Sequence, residues 1–167
     1  MKNRTRWIFI LILICFGLAE SSHSQDLTTV ILVRHAEKVD DSRDPELSQA
    51  GLDRAEKLAD MLEQQSINSI YSTDYIRTRG TCGPIASRLG IEIKLYDSRS
   101  IDDFNAMVGS NEGGTILVCG HSNSTPRLAN HFLMLQQFED FDESDYANML
   151  IVTIPRQGTP RVIHLRY

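Results

Sequence analysis

Two short apolar runs rich in β-branched residues, 28–33 (TTVILV) and 115–119 (TILVC), constrain the fold of this chain more than any other feature. Neither alternates apolar with polar positions, so each reads as a strand buried on both faces, as the central strands of parallel sheets are. Weaker strand signals lie at 69–72 and 91–96, and the segments 148–154 and 162–167 read as a strand pair joined through 155–160. Helical patterns fill the intervals. Behind Ser48, an N-cap residue, Leu52, Ala55, Leu58, Ala59 and Leu62 recur at helical spacing, while Asp53, Arg54, Glu56, Lys57 and Asp60 take the opposite face. Residues 74–89 continue the pattern to Gly90, with a break predicted near Pro84 because an interior proline costs about 3 kcal/mol. Ser124-Thr125-Pro126 predicts a cap followed by proline at the first helical position, opening a helix through Leu128, Phe132 and Leu135. The connection 98–112 reads as short. Strands and helices alternating in this way imply a three-layer α/β/α sandwich with a mostly parallel central sheet, and in such sheets ligands gather beyond the carboxyl ends of the strands.

The N-terminus is set apart from this pattern. Lys2, Arg4 and Arg6 precede an apolar run, 8–18, that is shorter than the ~20 residues a membrane span needs. This is the layout of an export signal, expected to be cut before Gln25. The expected organisation is a signal peptide over 1–24 and one domain over 25–167, exported to a periplasm or the medium, with no stable membrane span once the signal is removed. The chain carries a formal charge of −5, more negative still without its basic leader, which makes nucleic acid an unsuitable partner. Cys82 and Cys119 lack CxxC spacing and read as two buried, inert thiols.

Each strong strand runs into a histidine. The first ends in Arg34-His35, and the second passes through Gly120 into His121. Parallel neighbours would bring both imidazoles to one sheet edge, close enough to share a ligand. Arg34 and Arg77, at the start of the second helix, add guanidinium forks matched to phosphate oxygens.

Four segments, in order, extend the pattern. Val33-Arg34-His35-Ala36-Glu37 resembles the R-H-G or R-H-A motif of the histidine phosphatase superfamily. Leu47-Ser48-Gln49-Ala50-Gly51 is similar to its L-T-x-x-G helix start, residues 70–78 with Thr81 to its S-x-x-x-R-T-x-x-T segment, and 118–123 to its V-x-G-H motif. The resemblance implies a phosphoglycerate mutase-like fold and a phosphatase with His35 as nucleophile. It also implies that Arg34, Arg77 and His121 bind the phosphoryl group, and that neither metal nor cofactor is needed. The expected substrate is a small phosphomonoester or a phosphorylated envelope component. Hydrolysis is expected over mutase chemistry, because the longer insertions that enclose a mutase substrate are missing. Where relatives carry a glutamate as general acid, residues 96–103 hold none; Asp97 is the lead candidate and Asp102 the next. Lys38 reads as a solvated lysine close enough to the first motif to touch an anionic substrate, and the acidic stretch 139–145 as a solvated loop, with a lid or a partner surface as the alternatives. Two rival readings remain. One is a binding module for phosphorylated ligands. The other is a serine esterase in which Ser122, within Gly120-His121-Ser122-Asn123-Ser124, would be served by Asp142 or Asp145 and by His164.

Overall fold

From its first described residue the chain alternates strand and helix: β1 (Leu27–Arg34), α1 (Gln49–Leu62), β2 (Ile67–Ser72), α2 (Ile76–Leu89), β3 (Ile93–Leu95), α3 (Ile101–Gly109), β4 (Thr115–Gly120), α4 (Ser124–Leu133), β5 (Asn148–Pro155) and β6 (Arg161–Arg166). The computed structural model describes residues 27–167, so the expected leader over 1–24 lies outside the described residues. The strands form one six-stranded sheet in the order β3-β2-β4-β1-β5-β6. β3, β2, β4 and β1 are mutually parallel, and only β5 runs against its neighbours. The two strongest apolar runs are therefore adjacent central strands. The register pairs Arg34 with Gly120, so the chain leaves both strands at the same edge, one strand spacing apart.

Side-chain alternation divides the core into two layers. Val30 and Leu32 face Phe104 and Met107 of α3 and Leu128, Ala129 and Phe132 of α4. Ile31 and Val33 face Leu58, Ala59 and Leu62 of α1 and Cys82, Ile85 and Ala86 of α2. Burial of each such large aliphatic or aromatic side chain contributes about 1.5–3 kcal/mol. Helices on both faces complete the three-layer sandwich. Cys82 and Cys119 are buried in the second layer as free thiols.

The structure departs from the sequence reading in four places. Helix α2 runs unbroken through Pro84. The hydrogen bond lost there is outweighed by an inner face of Thr78, Thr81, Cys82, Ile85 and Ala86 that is buried along the whole length. Residues 98–112 are not merely a link: they contain α3, whose N-cap Ser100 accepts from the Asp103 amide. A nine-residue helix is marginal alone, and burial of Phe104 and Met107 at 2% exposure each holds it. In α4, Ser124 is the first helical residue and Pro126 the third; the Ser124 hydroxyl accepts instead from the His121 amide at 2.9 Å. The same helix stops at Met134, so Leu135 lies beyond it. The fourth difference is β3, trimmed to Ile93–Leu95.

One motif glycine has a steric reason. The first turn of α1 docks on the backbone of Glu37, whose carbonyl accepts from the Ser48 amide at 2.9 Å. A Cβ at Gly51 would stand 2.1 Å from that carbonyl oxygen. Gly51→Ala is expected to destabilise the fold by about 1–3 kcal/mol, read by urea denaturation, because backbone must move. A neutral or stabilising outcome, as helix propensity alone would give, contradicts this packing.

Candidate active site

His35 and His121 follow directly from the β1–β4 pairing. The His35 amide donates to the Gly120 carbonyl at 2.9 Å, and the two ring centroids stand 5.5 Å apart, edge to face. A Cβ at Gly120 would lie 2.7 Å from Ser124 Oγ, so glycine there lets Ser124 hold the His121 amide.

The tautomer of His35 is fixed by its neighbour. Nδ1 lies 2.8 Å from the Ala36 carbonyl. A carbonyl only accepts, so Nδ1 carries the proton and Nε2 keeps a free lone pair. The Ala36 amide is held in turn by Thr81 Oγ1 at 2.9 Å, and the Thr81 hydroxyl donates to the Arg77 carbonyl at 2.8 Å. This explains the threonine that closes the motif around Arg77: it ties the first turn of α2 to the loop that orients His35. Burial pushes the His35 pKa down to about 4; the bond to Ala36 opposes the shift, and the charges of Arg34 and Arg77 add to it. The His121 pKa also falls to about 4, through burial and then through Arg77 and Arg34. Both rings are neutral at pH 7.

His121 is fixed by a hydroxyl chain. Thr78 donates its proton to the carbonyls of Thr73 or Tyr75, at 2.9 and 3.0 Å, which leaves its oxygen to accept from Thr73 at 3.0 Å. The Thr73 oxygen is then the acceptor for His121 Nε2, also at 3.0 Å. Tyr75 meets the same ring edge-on at 5.1 Å.

Both predicted arginines converge on the histidines. Arg34 is fully buried. Its Nη1 donates to the carbonyls of Asp142 at 2.9 Å and Asp145 at 3.2 Å, Nη2 donates to Glu143 Oε2 at 2.6 Å, and its guanidinium lies 4.2 Å from the Tyr146 ring centroid. Among the described residues, Arg34 Nε is one of two buried side-chain polar atoms with no partner. A buried, charged donor left open is costly unless a ligand takes it up. Arg77 stacks on Tyr75 at 4.3 Å and contacts Asp44 Oδ1 at 3.5 Å. The other proton acceptance by Asp44 is from the Ile76 amide at 2.9 Å, which caps α2 from outside because Tyr75 offers no side-chain cap.

His121 and Arg77 line a cleft of about 910 Å3, bounded farther out by Tyr96, Asp97, Arg99 and Arg127. His35 and Arg34 are not on its lining; they are 4% and 0% exposed. Asp97 is thus in the cleft wall, but its carboxylate accepts from the Arg99 amide at 2.9 Å and side chain at 3.2 Å. The bond to the Arg99 side chain holds Asp97 below the usual carboxylate range, the reverse of what a proton donor needs. Asp102 is an exposed first-turn residue of α3. Lys38 pairs with Asp41 at 2.6 Å.

The triad of the esterase reading does not form. Ser122 donates to Glu143, His164 Nε2 pairs with Asn148 at 2.8 Å, Asp142 is engaged by Ser144, and Asp145 by Arg166 at 2.8 Å. What the sequence reading passed over is Glu143. The stretch 139–145 is not simply solvated: it is fastened to Arg34, and the Phe141 amide donates to the Ser122 carbonyl at 2.9 Å. No local pattern announces a contact between residues so far apart in the chain.

Known proteins were compared with this geometry. Residues 30–99, which include Arg34, His35 and Arg77, match the family model described as histidine phosphatase superfamily (branch 1). No curated protein sequence matches the chain. Among solved structures, mycobacterial glucosyl-3-phosphoglycerate phosphatase superposes with a TM-score of 0.71 at 14% identity, covering 84% of this chain and 99% of that one. The protein histidine phosphatase SixA complexed with tungstate gives 0.66 at 15%, covering 83% and 96%. A mutant phosphoserine phosphatase from Entamoeba histolytica in complex with phosphoserine gives 0.64 at 17%, covering 83% and 96%. These likenesses establish a shared fold. With four motifs in order and a family match across the first histidine and both arginines, the chain is similar to the histidine phosphatase superfamily over residues 30–99 and shares its fold with the phosphatases above.

Proposed function

We propose that the protein is a phosphatase that hydrolyses phosphomonoesters through a phosphohistidine at His35. The observation that carries this reading is a buried, neutral imidazole whose proton is held on Nδ1 by the Ala36 carbonyl, beside two guanidiniums and a second imidazole 5.5 Å away. Nε2 attacks phosphorus, the P–N bond forms, and the ester P–O bond breaks with its electron pair leaving on the alcohol oxygen. Water then attacks the phosphohistidine, the P–N bond breaks, and inorganic phosphate departs. Charge on the transferring oxygens is met by Arg34, through its unpartnered Nε, and by Arg77 and His121; preorganised charge of this kind is the main catalytic term in phosphoryl transfer. A phosphoryl dianion beside His121 draws its pKa upward, so binding takes up a proton that can pass to the leaving oxygen. The open cleft admits water and favours hydrolysis over phosphoryl retention. The guanidinium charges repel a further cation, which supports a metal-independent reaction. The substrate is a small phosphomonoester or, with export to a periplasm or the medium, a phosphorylated envelope component; export rests on the leader pattern alone.

The test is to mix the protein with p-nitrophenyl phosphate, quench rapidly in alkali and digest. An acid-labile, base-stable phosphoryl group on His35 is expected. A base-labile label on Ser122, or phosphate binding with no turnover, defeats the reading. Asp97→Asn is expected to change kcat by less than about threefold, whereas removal of a true general acid costs about 10²–10⁴-fold. A fall of that size, with loss of the alkaline limb of the pH profile, would restore Asp97 to the mechanism.

A further inference from the structure

The cleft does not end at the groups that meet phosphate. Arg99 and Arg127, in its outer wall, also line a second groove of about 480 Å3, where they meet Ile101, Met134 and Leu135 around Phe104. The three aliphatic side chains are 59%, 89% and 61% exposed, while Phe104 is buried. Met134 lies seven residues after Arg127, about 10 Å along the axis of α4. Its place there is not what the turn asks for: it caps α4 in the left-handed region at φ 53, where glycine or asparagine is the low-strain choice. A methionine at that position puts apolar surface at the far end of the groove. None of the described residues lining the groove is a carboxylate. Tyr75 and Leu95 carry exposed apolar surface into the cleft itself.

The layout is therefore graded. Positive charge and imidazole stand at one end, two arginines lie at the junction, and beyond them Ile101, Met134 and Leu135 offer hydrocarbon beside the uncharged or imidazole side chains of Asn130, His131 and Gln136. An ester whose phosphoryl group sits against His35 must send its leaving group out through this cleft. We infer that the groove receives the apolar tail of the substrate, so that the preferred phosphomonoester is a single amphiphilic molecule, a phosphoryl head on an extended hydrocarbon chain. This rests on the phosphatase reading of His35. Arg99, paired with Asp97, and Arg127, held by the Ser98 carbonyl, flank the neck between head and tail.

The experiment measures kcat/KM for ethyl, butyl, hexyl and octyl phosphate, each below its micelle concentration. A half-open groove is expected to raise kcat/KM about twofold per methylene, compared with about fourfold for full burial, giving about 60-fold from ethyl to octyl. In the double variant Met134→Asn/Leu135→Asn, in which asparagine also suits the left-handed turn, the octyl-to-ethyl ratio is expected to fall below about fivefold. The ratio is internal to each protein and does not depend on how much of it is folded. A flat series in the wild type, or a steep one that the double variant keeps, overturns the assignment. So does a dimer, seen by sedimentation, that the double variant abolishes, because the groove would then belong to a second copy. If neither ethyl nor p-nitrophenyl phosphate is turned over, it is the phosphatase reading that fails. The same ratio is then taken from dissociation constants by calorimetry, and equal affinity for ethyl and octyl phosphate overturns the groove separately.

Discussion

Replacing His35 by alanine is expected to lower kcat for p-nitrophenyl phosphate by about 10⁴-fold or more, because no other group can take up the phosphoryl at that position. Ser122 is tied to Glu143, and His121 Nε2 is committed to Thr73. Binding of inorganic phosphate should survive the substitution, since Arg34, Arg77 and His121 remain, and calorimetry on the variant serves as the control for folding. Nucleophile loss thus separates from anion binding. A variant that keeps a tenth of its activity, or that still carries an acid-labile label, would mean that His35 is not the nucleophile.

The second large effect is on stability. His35 and His121 each have a folded pKa of about 4, below the ordinary 6.5, chiefly through burial. A depressed histidine pKa means that the unfolded chain binds the proton more readily. The stability these groups permit is therefore whole above pH 6.5 and is lost as pH falls toward about 4. At about 1.4 kcal/mol per pH unit for each group, the pair is expected to cost about 3–4 kcal/mol between pH 7 and pH 5, before most carboxylates titrate. Urea unfolding midpoints at those two pH values measure it. His35→Ala should show about half the dependence. A wild type equally stable at both values would show that the rings are solvated or charged in the native state. Saturating phosphate should also flatten the profile, because a bound dianion favours the protonated ring.

The parts of the structure legible in the sequence are those with short-range signatures. The runs 28–33 and 115–119 are β1 and β4 because nothing except burial on both faces accounts for six and five consecutive apolar or β-branched residues. Ser48 is the N-cap of α1 because its side chain competes for the amide of Gly51. From these strands the convergence of His35 and His121 follows, and Arg77 follows from its place in the first turn of α2. Proline 84 misled because a local cost of one hydrogen bond was weighed without the buried face of the helix. Helix α3 was missed although Ser100 and Asp103 form its cap, since nine residues give the helical period little room to show. Asp97 follows β3 as expected, but its capture by Arg99, two residues on, is a side-chain contact that position alone does not show. The Glu143 clamp on Arg34 has no local trace, because only the folded sheet brings residues 34 and 143 together.

The pairing of Arg34 with Gly120 ties the two imidazoles to opposite halves of the polypeptide. Neither half can bring the two imidazoles together alone, and closing the long intervening loop is the slow, entropically disfavoured part of building a parallel pair. Catalytic competence should thus emerge late in refolding, with the docking of the two central strands, and lag behind the recovery of helical signal. Two separately expressed fragments, cut in the exposed turn ahead of α3, would be silent apart and active only on complementation.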